Sequence, residues 1–339
     1  MSHPKVSVII VNYNGESVLR RCFHSIANQD WPRDRLQIIV VDNASTDGSV
    51  AYMRQAWNGV EVVEAGGNLG YSGGANVGWA RSDGDYVALM ANDMFFPPNW
   101  INDMVSSIES RNDAAVVTTA MVNGDDFNLD GGEWLNASPV LVGRTDTTGT
   151  GYTAVPWGGA CLIRKNLFSK PFDADYFLYG EDIYLGLLSW LRGYKVVANP
   201  TKVAHLGSVI IGFGSPTQVY YNERNRLTNL LLFFKFPTLL LLSPLVLSDI
   251  IIKSVFFLAH GQVNLAGSVL RAIWWNMKKF GFNLSKRRDI QAQRRITDHA
   301  LLDVLCENVY GAGTLKGVLN VLATGYFRFV KSVCKAFNI

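Results

Sequence analysis

The chain is poor in cysteine and in charge. Its 339 residues include four cysteines, and charged residues make up only 17% of the sequence. The cysteines are scattered, without the paired spacing of a zinc site or a disulfide framework, which indicates reduced and mostly buried thiols. The first six residues lead directly into a predicted strand, so we expect no secretory signal and a cytosolic location.

Long uncharged apolar runs are also missing, although hydrophobic residues make up 48% of the chain. The longest such run, residues 236–248, contains thirteen residues, whereas a membrane-spanning helix needs about twenty. It lies within an apolar stretch, residues 227–259, that Pro237 and Pro244 are expected to interrupt. We predict a helical hairpin embedded in one membrane leaflet; a true span and a buried pair of core helices are the alternatives.

Positive and negative charges are divided unevenly along the chain. Residues 227–339 carry 14 Lys and Arg against 5 Asp and Glu, a net charge of +9, whereas residues 1–226 carry 17 against 23, a net charge of −6. This change predicts an acidic first domain, residues 1–226, and a basic, helical, membrane-associating region, residues 227–339. Because the basic residues alternate with aliphatic runs, we expect an anionic membrane surface as partner, and no nucleic acid.

Two patterns in the basic region indicate a membrane surface. Trp274 and Trp275 adjoin a cluster of Lys and Arg, a combination typical of the lipid headgroup region. The cluster comprises Lys278, Lys279, Lys286, Arg287, Arg288, Arg294 and Arg295. The last segment places one row of residues, including Leu322, Phe329 and Val330, on an apolar helical face opposite a basic one. It is predicted to lie on the membrane, with packing against the first domain as the alternative.

The chain begins with a predicted β-α-β unit. Two apolar runs rich in Val and Ile, residues 6–11 and 38–41, each end abruptly in polar residues, and apolar residues recur at helical spacing between them. This pattern predicts an open α/β, Rossmann-like sheet, whose ligands bind at the carboxyl ends of the strands. Asp42 stands at such an end, where it meets a ligand or caps a turn, and Asp47 is placed to cap the next helix.

The same residues carry a family resemblance. The segments VSVIIVNYNG at residues 6–15 and IIVVDNASTDG at residues 38–48 resemble the opening of the family 2 glycosyltransferases with the GT-A fold, and most of all the rhamnosyltransferase-like branch. The resemblance implies that Asp42 hydrogen-bonds the base of a nucleotide-sugar donor, and Asn12 and Asn14 are assigned to the same donor site. It also implies inversion at the anomeric carbon.

A glycine-rich stretch, residues 66–78, extends the resemblance. It is similar to the family's Asn-x-Gly-x-x-x-Gly-x-Asn segment, which contacts the donor, and the positions assigned to the donor site are Asn68, Gly70 and Asn76. Glycine lets the backbone approach a ligand closely, and the N-terminus of the helix that follows favours a diphosphate. On its own, such a stretch is typical of a flexible loop.

A further apolar strand, residues 85–90, ends in Ala91-Asn92-Asp93. Family members commonly carry a metal-binding Leu-Asn-x-Asp motif at this position. In this chain Asp93 matches the Asp of the motif, and Ala91 stands in place of its Asn. Asp93 is predicted to hold a divalent metal, Mg²⁺ or Mn²⁺, on the donor diphosphate, with help from Asn92. The alternative is that Asp93 caps the next helix.

Two adjacent acids, Glu181 and Asp182, resemble the family's Glu-Asp-x-Asp-Leu segment, in which Tyr184 replaces the second Asp. A sugar hydroxyl is a poor nucleophile, so Asp182 is predicted to remove its proton as the general base, with Glu181 beside it. Simple capping of the helix that starts there is the alternative. Gly159, which precedes a predicted strand, is expected to allow the close approach of a sugar.

Two later residues complete the predicted site. The family carries a His after the strand that follows the acidic pair and uses it on the metal or the diphosphate, so His205 is predicted to be a metal ligand; a structural role is the alternative. Arg224 lies in a segment similar to the family's Tyr-Tyr…Arg-Asn and is predicted to pair with a phosphate of donor or acceptor. Residues 123–151 are expected to form a loop over the site.

The sequence therefore predicts a GT-A (Rossmann-like) α/β transferase domain followed by a helical region. The predicted reaction moves a hexosyl or deoxyhexosyl group from a nucleotide-diphosphate sugar to a lipid-linked glycan, for cell-surface polysaccharide synthesis. We expect it at the cytoplasmic face of the cell membrane, bound monotopically or peripherally. A non-catalytic membrane scaffold, suggested by Ala91 and Tyr184, and a nucleotidyltransferase are the alternatives. The latter would need a basic glycine-rich loop near the first strand, and residues 12–16 contain no Lys or Arg.

Overall fold

The computed structural model describes residues 3–56, 59–123, 151–206, 214–305 and 314–339. Within these ranges the chain forms two compact units. The first contains the described residues up to 186 and residues 194–206; the second contains residues 187–193 and the described residues from 214 onward. The boundary predicted at residue 226 falls inside a helix of the second unit. The predicted loop at residues 123–151 lies, apart from its two ends, outside the described residues.

The first unit is built on one mixed sheet, which confirms the predicted α/β class. Its strands are β1 (Val6–Asn12), β2 (Leu36–Asp42), β3 (Val60–Glu64), β4 (Tyr86–Met90), β5 (Met94–Phe95), β6 (Ala114–Asn123), β7 (Gly151–Thr153), β8 (Ala160–Arg164) and β9 (Lys195–His205). The order is β3-β2-β1-β4-β8-β6-β9-β5, with β7 paired to β9. The first four neighbours are parallel, and β8 runs antiparallel to β4 and β6. The carboxyl ends of β1, β2 and β4 therefore lie at one edge.

Five helices belong wholly or partly to this unit: α1 (Glu16–Ala27), α2 (Ser49–Ala56), α3 (Gly70–Arg81), α4 (Trp100–Glu109) and α5 (Glu181–Leu191). The apolar row of α1 is buried as its spacing predicts. Asp47 Oδ1 accepts the Ser49 N–H at 3.1 Å, which confirms the predicted cap of α2.

Glycines of α3 bring this helix close to the sheet. A Cβ on Gly78 would lie 2.5 Å from Ile9 Cγ2, and one on Gly74 would lie 2.7 Å from Val11 Cγ1. Any larger residue would push the helix away from β1. Some of the glycines that were predicted to let a ligand approach therefore allow close packing of the helix on the sheet.

The second unit is helical. It contains α6 (Pro216–Phe233), α7 (Phe236–Ala259), α8 (Val263–Lys278), α9 (Phe280–Gln291), α10 (Asp298–Asp303) and α11 (Thr314–Ala336). The prediction that Pro244 interrupts the apolar stretch is wrong, because α7 continues through it. Pro237 lies in the first turn of α7, directly after the break between α6 and α7, where no backbone N–H is needed. By length and composition, α7 could cross a membrane: it has 24 residues and a mean hydropathy of 2.0.

Four buried charges join α6 to α7. Arg226 lies 2.6 Å from Glu223 and 2.9 Å from Asp249, and Lys253 contacts both of these carboxylates. Burial by itself would raise the pKa of Glu223, but Arg226 and Lys253 hold it below its ordinary value. The inner face of α7 is thus fixed by a charge network, whereas apolar residues of its outer face are exposed: Leu240, Leu247, Ile251, Val255 and Leu258.

The terminal helix α11 packs against α7 and α10. Its buried residues are Ala323, Phe327, Val330 and Cys334, whereas Val321, Leu322 and Phe329 are exposed. The predicted apolar face is therefore divided: Val330 faces the interior, because Phe327 and Cys334 on the same side fill the core with it. A membrane contact for the exposed Leu322 and Phe329 stays a prediction.

Candidate functional site

A buried polar triad lies where β1, β2 and β4 end. The parallel register sets Asn12 beside Asp42, and Asn12 Nδ2 donates to Asp42 Oδ1 over 3.2 Å. Asn12 Oδ1 accepts a hydrogen bond of 3.0 Å from Asn92 Nδ2. Because Asn12 is fully buried and both ends of its amide are used, it positions Asp42 and Asn92, and its predicted contact with the donor stays a prediction.

Asp42 and Asn14 shape the loop that follows β2. Asp42 Oδ2 accepts the Ser45 N–H at 2.9 Å, so the turn-capping alternative holds for this oxygen. Asn14 adopts a left-handed φ of 49°, is exposed, and accepts the Thr46 N–H at 2.8 Å. The backbone of this loop is therefore held by Asp42, at the end of β2, and by Asn14, which follows β1. The predicted contact of Asp42 with a nucleotide base stays a prediction.

The predicted donor loop braces another segment of the chain. Asn68 Oδ1 accepts the Gly70 N–H at 2.9 Å, and a Cβ on Gly70 would meet the Phe177 carbonyl oxygen at 2.2 Å. Asn76 Nδ2 donates to the Phe172 carbonyl at 2.9 Å and its Oδ1 accepts the Phe172 N–H at 3.3 Å. These positions therefore hold residues 172–177 against α3, and a donor contact from Asn76 would compete with both bonds.

Asp93 and His205 come together across β5 and β9. The antiparallel register sets Met94 opposite His205, and His205 Nε2 lies 3.2 Å from Asp93 Oδ2. Both side chains are partly exposed, at 16% for Asp93 and 13% for His205. The capping alternative for Asp93 is wrong, because Asn99 occupies the N-cap position of α4.

The Asp93–His205 pair fits a divalent metal. A carboxylate oxygen and an imidazole nitrogen converge there, and this donor set suits Mn²⁺, with Mg²⁺ favouring more oxygen. Within the described ranges, no group of three or more His, Cys, Asp and Glu side chains gathers in a way that could hold a metal. The protein would therefore supply two ligands, leaving the other positions to phosphate oxygens and water.

Glu181, which is buried, and Asp182, which is partly exposed, form an acidic pair at the start of α5. Asp182 Oδ1 accepts the Ile183 N–H at 2.7 Å, and Glu181 Oε2 is buried without a hydrogen bond from any described residue. Burial raises the pKa values of both carboxyls, and the neighbouring Asp182 charge raises that of Glu181 further. Two acids pushed towards neutral pH in one place are typical of proton-transfer sites.

Gly158 lies against this acidic pair, and Tyr71 holds it there. A Cβ on Gly158 would lie 3.3 Å from Asp182 Cβ and 3.9 Å from Glu181 Oε1. Tyr71 Oη donates to the Gly158 carbonyl at 2.8 Å. Burial raises the pKa of the Tyr71 phenol well above its ordinary value, and nearby acids including Glu181, Asp93 and Asp182 raise it further.

Tyr71 is a residue that sequence reasoning missed. The available signal was the only aromatic side chain of the glycine-rich stretch, directly after Gly70. The turn that Tyr71 holds, Gly158 and Gly159, lies against Asp182 and also against Ala91 and Met94, which neighbour Asp93 in the chain. Strands β5 and β8 and helices α3 and α5 therefore converge on one acidic centre.

Gly159 packs closely against Ala91, and the predicted approach of a sugar to it stays a prediction. A Cβ at this position would lie 2.6 Å from Ala91 Cβ, and the Ala91 N–H donates to the Gly159 carbonyl at 2.8 Å. The small residues at both positions let the start of β8 lie close beside the end of β4, with which it pairs antiparallel. Ala91, where the family has Asn, is thus matched to its neighbour.

Arg224 belongs to the second unit and lies among aromatic rings. It is 6% exposed, and its guanidinium carbon lies 4.6 Å from the ring centres of both Tyr221 and Trp275. Its Nε donates to Asn225 Oδ1 at 2.9 Å. The predicted pairing of Arg224 with a phosphate stays a prediction.

Comparisons with known proteins agree with the first unit. Residues 7–172 match the family model "Glycosyl transferase family 2". The glycosyltransferase AglE of Haloferax volcanii is 31% identical over 108 residues, which cover 31% of this chain and 36% of AglE. The poly(ribitol-phosphate) beta-N-acetylglucosaminyltransferase TarS of Staphylococcus aureus is 28% identical over 35% of this chain and 22% of its own length. The chain thus matches about a third or less of the length of each of these two relatives.

Solved structures agree in fold. The mannosyltransferase PcManGT of Pyrobaculum calidifontis, in complex with GDP-Man and Mn²⁺, superposes with a TM-score of 0.54 at 15% identity, covering 99% of this chain and 88% of PcManGT. S. aureus TarS 1–349 in complex with UDP gives 0.51 at 16% identity, covering 98% and 91%. The rhamnosyltransferase-like branch stays a prediction. Residues 7–172 are thus similar to the family 2 glycosyltransferases, and the first unit has the GT-A-like α/β sheet of these neighbours.

Proposed function

We propose that the protein transfers a sugar from a nucleotide-diphosphate sugar to an acceptor hydroxyl. The observation that carries this proposal is the position of the Asp93–His205 pair and the Glu181–Asp182 pair beside the same turn, Gly158 and Gly159. One pair has metal-ligand chemistry, and the other has acid–base chemistry. Names of relatives and neighbours support it: AglE is a glycosyltransferase, and TarS 1–349 was solved with UDP and with UDP-GlcNAc.

In the proposed reaction Asp182 is the general base. As the acceptor oxygen forms its bond to the anomeric carbon, the bond from that carbon to the donor diphosphate breaks, and the hydroxyl proton passes to Asp182. A single displacement of this kind inverts the anomeric centre. Burial raises the pKa of Glu181, and the Asp182 charge raises it further, which favours a proton on Glu181 and the negative charge on Asp182. A metal held by Asp93 and His205 would neutralise charge on the leaving diphosphate.

Nucleotide binding tests this proposal most directly. Thermal melting of the full chain is measured with UDP, GDP, dTDP and their sugar conjugates, with Mn²⁺ or with a chelator. We expect at least one nucleotide to raise the melting temperature, more strongly with metal. A non-catalytic scaffold would show no turnover of any bound nucleotide sugar. A nucleotidyltransferase would instead bind nucleoside triphosphates and release inorganic diphosphate.

We further propose that the second unit binds an anionic membrane at the cytoplasmic face and that the acceptor is a lipid-linked glycan. Exposed apolar residues on α7 and α8 support this, and so does the net charge of +9 carried by residues 227–339. Because the inner face of α7 carries Asp249 and Lys253 in a buried charge network, we favour monotopic attachment over a span.

Flotation with liposomes tests the attachment. The full chain should float with vesicles that contain phosphatidylglycerol at low salt, and less well at high salt or with neutral vesicles. Failure to float would make the apolar surface an oligomer interface and would remove the main support for a lipid-linked acceptor.

A further inference from the structure

The exposed face of α8 combines positive charge with apolar surface. Arg271, Trp274 and Lys278 are three and four residues apart in turn, so they lie on one helical face. All three are exposed. Leu270 and Met277 flank this row, and each is more than 60% exposed, as is Trp274. A single face of α8 thus offers two cations next to a strip of hydrocarbon.

A second guanidinium lies behind this face. The Arg271 guanidinium carbon is 5.7 Å from the centre of the Tyr220 ring, and the Arg224 guanidinium carbon is 5.6 Å from the same ring. Arg271 also donates to Ser268 Oγ at 2.8 Å. Tyr220 therefore lies within cation–π distance of both guanidinium groups, which brings one exposed and one buried cation to a common ring.

Carboxylates elsewhere in this unit are already engaged. Each of the described ones lies within 4.0 Å of a basic side chain other than Arg271 and Lys278. They are Glu223, Asp249, Asp289, Asp298 and Asp303. The α8 face consequently keeps an excess of positive charge in its surroundings, and an anion with an attached apolar group complements it in both charge and polarity.

We propose that this face binds the diphosphate of the lipid-linked acceptor, with Arg271 and Lys278 on the phosphates and the lipid chain along Leu270, Trp274 and Met277. The inference rests on the proposed function and assigns the chemical class of its acceptor: a diphosphate ester of a long hydrocarbon chain. Guanidinium binds phosphate through two parallel hydrogen bonds, and tryptophan lies at the boundary between headgroups and hydrocarbon.

Binding of farnesyl diphosphate to the full-length protein tests the inference. We expect it to bind more tightly than inorganic diphosphate, which lacks the chain, and than farnesol, which lacks the charge. Arg271→Gln should raise its Kd about tenfold, the effect of losing one charge-assisted contact at a partly exposed site. Arg271→Lys should recover only part of the affinity, because the bidentate geometry is lost.

Arg35→Gln is the matched control, because Arg35 is a surface arginine of the first unit whose nearest carboxylate is the adjacent Asp34. It should leave the Kd for farnesyl diphosphate unchanged. An unchanged Kd in Arg271→Gln overturns the inference, and so does equal affinity for inorganic diphosphate. Binding to phosphatidylglycerol vesicles alone would assign the face to bulk lipid and also overturn it.

The outcome is separable from that of the proposed function. Nucleotide-dependent melting and hydrolysis of the donor sugar by water do not involve a lipid acceptor. If these are retained while Arg271→Gln binds farnesyl diphosphate normally, only the acceptor site is wrong. If no nucleotide binds, the proposed function itself is wrong, whether or not farnesyl diphosphate binds.

Discussion

Tyr71 donates a 2.8 Å hydrogen bond to the carbonyl of Gly158, and through this bond it holds the turn that lies against Asp182. The two residues are 87 positions apart in the sequence. The bond connects α3, which contains most of the predicted donor stretch, with the turn before β8. It therefore couples the two parts of the site that the proposed reaction must align.

Tyr71→Phe should impair this alignment without removing any group from the reaction. We expect about a tenfold lower kcat with an unchanged affinity for the donor nucleotide, because small displacements of reacting groups slow a reaction strongly. Tyr52→Phe is the control, since no described residue forms a hydrogen bond with the Tyr52 hydroxyl. Equal kcat in both variants would show that the Tyr71 hydroxyl has no positioning role.

Asp182→Asn should abolish sugar transfer and keep donor binding. The amide preserves the shape of the side chain but cannot accept the proton, so a loss on the order of 10² or more in kcat is expected. Transfer is measured with the best donor from the nucleotide panel, and Asp34→Asn, an exposed acid, is the control. Activity like that of the unmodified protein would shift the role to Glu181 or Asp175.

Transfer should fall in acid. Burial raises the pKa of Asp182 to about 6, so the base loses its charge as the pH drops through that value. We expect kcat/KM to rise with pH and to reach half of its plateau near pH 6, well above the ordinary range of an aspartate. A profile flat between pH 5 and pH 8 would contradict both the raised pKa and the assignment of the base.

Asp93→Ala should remove the metal dependence of donor binding. The Asp93–His205 pair supplies the two protein ligands of the proposed site, and a single imidazole holds Mn²⁺ or Mg²⁺ weakly. Titration of nucleotide by calorimetry, with Mn²⁺ and with chelator, measures the difference. If the unmodified protein binds nucleotide equally well under both conditions, neither Asp93 nor His205 has a metal role.

Gly159→Ala should destabilise the first unit. The added methyl would lie 2.6 Å from Ala91 Cβ, and overpacking of this kind costs about 1–3 kcal/mol in the free energy of unfolding. Gly67→Ala is a matched control, because nothing lies within 4 Å of a Cβ at Gly67. Chemical denaturation of both variants measures the change. Equal stability of the two would mean that β8 can move away from β4 at little expense.

Local patterns in the sequence were sufficient for the elements of the first unit. The buried rows of β1, β2 and α1 follow from hydrophobic periodicity, and the polar residues after each strand indicate the edge where ligands bind. Asp42 and Asp93 could be placed at that edge for the same reason. The acidic start of α5 was also visible, because Glu181 and Asp182 precede an apolar helical pattern.

Other features depended on contacts between distant parts of the chain. Asp93 and His205 are 112 residues apart, and only the pairing of β5 with β9 brings them together. The same is true of Asn76 and Phe172, whose hydrogen bonds give the predicted donor loop a bracing role. In the second unit, periodicity showed that α11 has an apolar face, but not that Phe327, Val330 and Cys334 pack inward.

The sequence by itself determined the α/β class, the order of its elements and the chemical types gathered at the strand ends, because hydrophobic spacing and strand termini are local properties of the chain. Only the tertiary structure decided which polar groups are already satisfied within the protein and which face the site. That distinction depends on the positions of residues far away in the sequence, as Asn12 and Gly159 show: both were predicted to meet a ligand, and both are occupied by protein neighbours.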